Sequence, residues 1–137
     1  MSSETLCQRI VERMVATAFA DAVIRFGGGR EKTGTVTASG SATTVDLTNG
    51  NTQTLTLGAN TTLTLTGATV STSCTLSLYI VQDATGGRTV TWPAGVKWPG
   101  GTAPTLSTAA NARDLVVLET LDGGSVWFAN LSGLAYS

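Results

Sequence analysis

Side chains that could perform catalysis are present in this sequence, but their types and spacing do not form a catalytic group. The chain of 137 residues has no histidine, which is the commonest general base and the commonest metal ligand in proteins. A glycosidase would need two carboxylates flanking its sugar, one of them with a raised pKa, and no spacing singles out such a pair. The carboxylates that follow residue 33 are Asp46, Asp83, Asp114, Glu119 and Asp122.

Nucleophilic catalysis and metal binding also lack their usual signatures. Serine and threonine are plentiful, but no base accompanies a hydroxyl and there is no G-x-S-x-G elbow. The two cysteines, Cys7 and Cys74, are too far apart for a C-x-x-C metal site. We therefore expect that the protein is not an enzyme and that it has no catalytic residues, no metal site and no cofactor.

A glycine-containing segment at residues 82–88 resembles a phosphate-binding loop only loosely. It lacks the G-x-x-x-x-G-K-[ST] spacing, and no helix is predicted after it to offer an N-terminus to a phosphate. We interpret the segment as a hairpin turn in which Asp83 caps the backbone and Arg88 pairs with Asp83.

The tryptophans Trp92, Trp98 and Trp127 lie in the C-terminal part of the chain, and two of them precede a proline. Aromatic rings of this kind can form a platform for a sugar, with Arg88 and Lys97 as further contacts to a host glycan. They can also fill a core or a subunit interface, where large rigid aromatic side chains contribute most. We favour packing and keep glycan contact as the alternative.

The composition excludes two classes of function and points to β-structure. The chain has 8 basic and 9 acidic residues, which argues against a protein that binds nucleic acid by neutralising phosphates. No apolar stretch reaches the 18 or so residues of a membrane-spanning helix. Of the 25 threonines, 23 come after residue 32, and threonine covers the solvent face of a sheet without charge.

The first 32 residues predict one amphipathic helix, at about residues 4–25, and then a glycine-rich linker at residues 27–29. This helix could pack on the β-domain of its own chain. It could instead pack against copies of itself or dock into a larger assembly, and we favour this second interpretation because the linker loosens the helix from the β-domain. The apolar residues assigned to oligomerisation and anchoring are Leu6, Ile10, Val11, Met14, Val15 and Ala18.

From residue 33 onward the apolar residues alternate with polar ones, as in half-buried strands. Residues 55–57 and 63–66 are predicted to form a hairpin through Gly58-Ala59-Asn60, and further strands are expected near 35–38, 43–47, 75–82, 89–92, 114–121 and 126–131. We predict an antiparallel β-sandwich or jelly-roll-like domain over 33–137, preceded by the helix and linker of 1–32. A parallel β-helix is disfavoured because the repeat does not persist beyond residue 66. The residues expected to be most buried are Leu76, Leu78, Ile80, Val116 and Leu118.

Three segments carry a resemblance to a known family. They are Leu78–Pro93, which contains Thr-Gly-Gly-Arg-Thr-Val-Thr-Trp-Pro, then residues 96–107, and then Asp122-Gly123-Gly124-Ser125-Val126-Trp127-Phe128. Together they resemble a β-rich module of fibre and other appendage proteins of tailed bacteriophages, which is also seen in phage-like gene-transfer particles. The resemblance covers about residues 43–130.

This resemblance implies a structural protein at the surface of the phage particle. Because only a short helical segment precedes the module, we expect a small head-fibre, spike or decoration protein, or a collar or tail component. Its expected partners are copies of itself, as a homotrimer, and other virion proteins such as the capsid, portal or collar, or tail. A host-receptor or glycan-binding module is the alternative function.

Overall fold

The computed structural model describes residues 31–137, and its strands form two curled sheets. The mainly β class predicted from the sequence is confirmed, whereas the predicted helix at residues 4–25 lies outside the described residues. The strands are β1 (Thr33–Ala38), β2 (Ala42–Asp46), β3 (Thr52–Leu57), β4 (Thr61–Thr66), β5 (Cys74–Gln82), β6 (Val90–Thr91), β7 (Val96–Lys97), β8 (Arg113–Thr120) and β9 (Trp127–Tyr136). Two 3-10 turns lie at Leu47–Asn49 and Pro99–Gly101.

The first six strands alternate between the two sheets, so the chain winds as a parallel coil. The larger sheet has the order β1-β3-β5-β8-β9-β7, and the smaller sheet has the order β2-β4-β6. Successive strands within each sheet are parallel, with Thr33 opposite Thr52 in the larger sheet and Ala42 opposite Thr62 in the smaller one. Within residues 31–137, β1 and β2 are therefore edge strands of their sheets at the same end of the coil.

The predicted hairpin between β3 and β4 is wrong, because these two strands lie in different sheets. The turn at residues 58–60 carries the chain across to the smaller sheet, and Gly58 N donates a hydrogen bond of 2.9 Å to Ala38 O of the preceding coil. A solely antiparallel sandwich is likewise wrong. The pairs β1–β3, β3–β5, β2–β4, β4–β6 and β7–β9 are parallel, while β5–β8 and β8–β9 are antiparallel.

The coils differ in length, which explains why no fixed repeat is visible in the sequence. Register places 19 residues in the first coil (33 to 52) and 25 in the second (52 to 77). The six extra residues of the second coil are one in β4, two in the connection that follows β4, and three at the start of β5. The parallel coil that the sequence disfavoured is thus the arrangement of β1 to β6.

The core lies between the two sheets and takes alternate residues from each strand. The residues predicted to be most buried, on β5 and β8, are at most 2% exposed, so this prediction is confirmed. The threonines that alternate with the apolar residues of β1 and β4 point outward, as the period of two requires. The buried apolar residues are Ala38, Val45, Leu47, Leu55, Leu57, Leu63, Leu76, Leu78, Ile80, Val96, Val116, Leu118, Trp127 and Ala129.

Candidate functional site

The segment between β5 and β8 begins with the turn that resembles a phosphate loop, and Asp83 organises this turn. Asp83 Oδ1 accepts hydrogen bonds from Thr85 N (3.0 Å) and Gly86 N (2.7 Å). Its Oδ2 lies 3.0 Å from Arg88 Nε and 2.9 Å from Arg88 Nη2. The hydrogen bond from Arg88, followed by that from Gly86 N, lowers the pKa of the Asp83 carboxyl. The predicted cap and ion pair are confirmed, but the turn leads from the larger to the smaller sheet and is not a hairpin.

Gln82, at the end of β5, forms hydrogen bonds with two separate parts of the same segment, at Arg88 and at Ser107. Its side chain is buried, and Nε2 donates to Arg88 O (2.8 Å) and Ser107 O (3.0 Å), while Oε1 accepts from Arg88 N (2.9 Å). Sequence reasoning did not select Gln82. The available signal was its place in the inward series Leu78, Ile80, Gln82 on β5, where a polar residue must find buried partners.

Asp114, on the neighbouring strand β8, also binds backbone groups at two separate places in the chain. This buried carboxylate accepts a 2.7 Å hydrogen bond from Ser107 N at Oδ2 and a 2.9 Å hydrogen bond from Ala135 N at Oδ1. It therefore ties the segment before β8 and the end of β9 to one residue. The sequence identified Asp114 as a carboxylate but gave no sign of these backbone partners.

The three tryptophans pack to different extents in the β-domain. Trp127 is 2% exposed and belongs to the core. Trp92 and Trp98 are half-buried against that core and form an edge-to-face pair, with ring centroids 5.1 Å apart and planes at 71°. Trp92 and Trp98 therefore pack against each other, whereas Trp127 lies apart from them in the interior. Trp92 and Trp98 keep part of their surface open to solvent.

The two basic residues assigned to glycan contact, Arg88 and Lys97, make separate contacts. Arg88 is engaged by Asp83 in the turn after β5, and its charge is largely offset there. Lys97 lies on β7, is exposed, and its Nζ donates a 3.4 Å hydrogen bond to Ala94 O. Strand β7 was not predicted, because two residues between prolines give no period to detect.

Asp46, which is half-buried, and Asp122, which is exposed, also accept hydrogen bonds from backbone groups. Asp46 Oδ1 accepts from Thr48 Oγ1 (2.7 Å) and Thr48 N (2.9 Å), and these bonds, the side-chain one first, lower the pKa of Asp46. Asp122 Oδ1 accepts from Val126 N (3.0 Å) and Thr120 Oγ1 (2.9 Å), which, in that order, lower the pKa of Asp122. Their geometry is that of turn caps.

Among residues 31–137, no three His, Cys, Asp or Glu side chains lie close enough to share a metal ion. The same residues contain no helix with the length and apolar content needed to cross a membrane.

In a comparison with known protein families, residues 35–123 match the family described as "Putative phage tail fibre C-terminal domain". The match runs from β1 to the turn after β8 and so includes the Asp83 turn, Gln82 and Asp114. No curated protein matches the chain, and no solved structure matches it. The resemblance to a phage fibre module stated from the sequence is therefore confirmed, and the chain belongs to the phage tail fibre C-terminal domain family, a structural part of the virion that associates with other virion proteins.

Proposed function

We propose that this protein is a small structural subunit of a virion appendage, displays its β-domain (residues 33–137) on the particle, and catalyses no reaction. The family match over residues 35–123 carries this proposal. The contacts of the β-domain support it, because Asp46, Asp83, Asp114 and Asp122 are used as backbone caps. Such polar contacts favour a rigid, durable domain.

In this proposal the N-terminal segment attaches the subunit and holds it as a homotrimer. The support is the apolar spacing of the six residues assigned to oligomerisation and anchoring, which on a helix would give a face wide enough for a short helical bundle. The other partner is a virion protein of the capsid, portal or collar, or tail. A head fibre, spike or decoration subunit and a collar or tail subunit are the finer forms of this function.

A pair of matched variants tests the attachment role. Ile10→Glu places a charge on the apolar face of the predicted helix, whereas Ala16→Glu places the same charge on the opposite face. We expect Ile10→Glu to reduce incorporation into particles and to lower the mass measured by light scattering from trimer to monomer. Ala16→Glu should behave as the wild type. Equal incorporation of both variants would show that this helix face does not attach the subunit.

Glycan binding is the second candidate function, and the partial exposure of Trp92 and Trp98 beside the exposed Lys97 favours it. Stacking of a sugar on an aromatic ring requires accessible ring surface, which iodide quenching of tryptophan fluorescence measures. On a glycan array we expect Trp98→Ala to lose any signal that the wild type gives. A wild-type array without hits, together with unchanged host adsorption by a Lys97→Glu particle, would remove this candidate.

A further inference from the structure

The outer face of the larger sheet differs in chemistry from the outer side of the smaller sheet. We use "outer face" for the side chains of this sheet that point away from the core. Register sets Tyr79 beside Leu115 and Ser77 beside Val117, and Asn130 of β9 lies on the other side of Val117. On the other side of β5, the threonines of β3 and β1 continue the same rows. One continuous surface therefore spans five strands.

The centre of the outer face is apolar and contains large side chains. Tyr79, Val81, Leu115 and Val117 are half-buried by their neighbours in the sheet. Phe128 is 57% exposed on the adjoining strand. A side chain exposed singly would need no explanation, but a cluster of aromatic and branched residues on one sheet face is typical of an interaction surface.

The rim of this apolar cluster carries charges of both signs. Arg113 and Glu119 lie at opposite ends of β8, and Lys97 is beside Phe128 in register. An apolar centre with a charged rim is the usual anatomy of a protein–protein contact. A rim with both signs also allows one copy to meet another without an excess of like charge.

The smaller sheet offers an internal comparison. Its outward side chains are Ala42, Asp46 and threonines, with Thr44 beside Thr64 and Thr62 beside Thr91. No large apolar residue points outward from these three strands in the described chain. The apolar cluster is thus a property of one sheet face, and general surface composition does not explain it.

The size of the outer face fits contact with a second copy of this chain. Five strands at about 4.8 Å spacing, with about six residues at about 3.3 Å each, give a footprint of about 24 by 20 Å. Two such faces bury on the order of 1,000 Å², which is the lower end for a specific interface. Contact of this size is weak between free molecules and becomes effective when copies are already held together.

We propose that the outer face of the larger sheet is the contact between the β-domains of neighbouring copies in the assembled appendage. This inference rests on the proposed function only in that several copies stand together on the particle. It assigns a second contact, separate from the N-terminal segment, that fixes how the displayed domains associate. The contact is centred on Tyr79, Leu115 and Val117.

Hydroxyl-radical footprinting of the full-length chain at low and high protein concentration tests the contact. We expect labelling of Tyr79 and Phe128 to fall severalfold at high concentration in the wild type. Asn130→Lys adds a charge beside Val117 at an already exposed position, so it should remove this protection and weaken association about tenfold. Thr64→Lys adds the same charge to the exposed outer side of the smaller sheet and should keep the wild-type footprint.

Equal labelling of Tyr79 and Phe128 in Asn130→Lys and Thr64→Lys would overturn the inference. If Asn130→Lys melts below the wild type, Val117→Thr replaces it, since this change keeps a β-branched side chain and removes apolar surface without adding charge. The inference fails separately from the proposed function. Normal incorporation of Asn130→Lys with wild-type protection contradicts only the contact, whereas normal incorporation of Ile10→Glu contradicts only the attachment.

Discussion

Replacing Gln82 with leucine should destabilise the β-domain more than any surface change. The substitution keeps the bulk of the side chain and removes three hydrogen bonds, two to Arg88 and one to Ser107. Each backbone group left without its partner costs about 1 kcal/mol, and more where it stays buried. We therefore expect the free energy of unfolding to fall by about 3 kcal/mol. For a domain of about 100 residues, this lowers Tm by about 12 to 24 °C.

Gln53→Leu is the matched control, because Gln53 is the other fully buried glutamine of the described strands. Its Nε2 donates to Asp46 O (2.6 Å) and Gly50 O (2.8 Å), but its Oε1 has no hydrogen-bond partner within residues 31–137. Leucine removes this buried acceptor together with the two bonds. The expected cost is therefore about 1 kcal/mol, well below that of Gln82→Leu.

Differential scanning calorimetry measures both variants, and hydrogen exchange locates the change. In Gln82→Leu the backbone amide of Arg88 loses its hydrogen-bond acceptor and should exchange faster. The exchange rates of amides in the middle of β5 should change only as much as the change in global stability requires. A Tm within about 3 °C of the wild type would refute the reasoning. Equal losses in Gln82→Leu and Gln53→Leu would refute it too.

Two further predictions concern acid and glycine. Among residues 31–137, three carboxyls have lowered pKa values: Asp46, Asp83 and Asp122. The stabilisation that these carboxylates provide is present above the ordinary pKa of 3.8 and is lost as the pH falls through their lower pKa values in the folded state. The denaturant concentration at the midpoint of unfolding should therefore decrease below about pH 4. Asp83→Asn should make this decrease smaller. Gly86→Ala should destabilise the domain clearly more than Gly87→Ala. Both residues have φ near 75°, but a Cβ on Gly86 would lie 2.8 Å from Ala110 N, whereas one on Gly87 would meet open space; equal melting temperatures would contradict this difference.

The sequence predicted strands better than it predicted their partners. Alternation of apolar and polar residues identifies a strand and the side that faces the core, which is why Leu76, Leu78 and Val116 were selected correctly. The same alternation is compatible with a hairpin and with a parallel coil. Leu57 and Leu63 both face the core, one from each sheet, so the pattern alone did not distinguish the two arrangements.

The polar contacts were partly predictable for a related reason. Asp83 and Arg88 are close in sequence, so a local turn brings them together, and this pair was predicted. Gln82 and Asp114 bind Ser107, and Asp114 also binds Ala135, 21 residues away in the chain. Such partners depend on the path of the whole segment. The roles assigned to Leu6, Ile10 and the rest of the N-terminal set stay predictions.

The position of β1 and β2 has a consequence for how such a domain can be extended. Each coil contacts only its neighbours, so the stack is additive, as in solenoid proteins. The free backbone groups of β1 and β2 lie at the same end of the coil in the described chain, ready to pair with one more turn of about 20 residues. The parallel coil can therefore be lengthened by design, by adding turns ahead of β1. The contacts of Gln82 and Asp114 would stay unchanged.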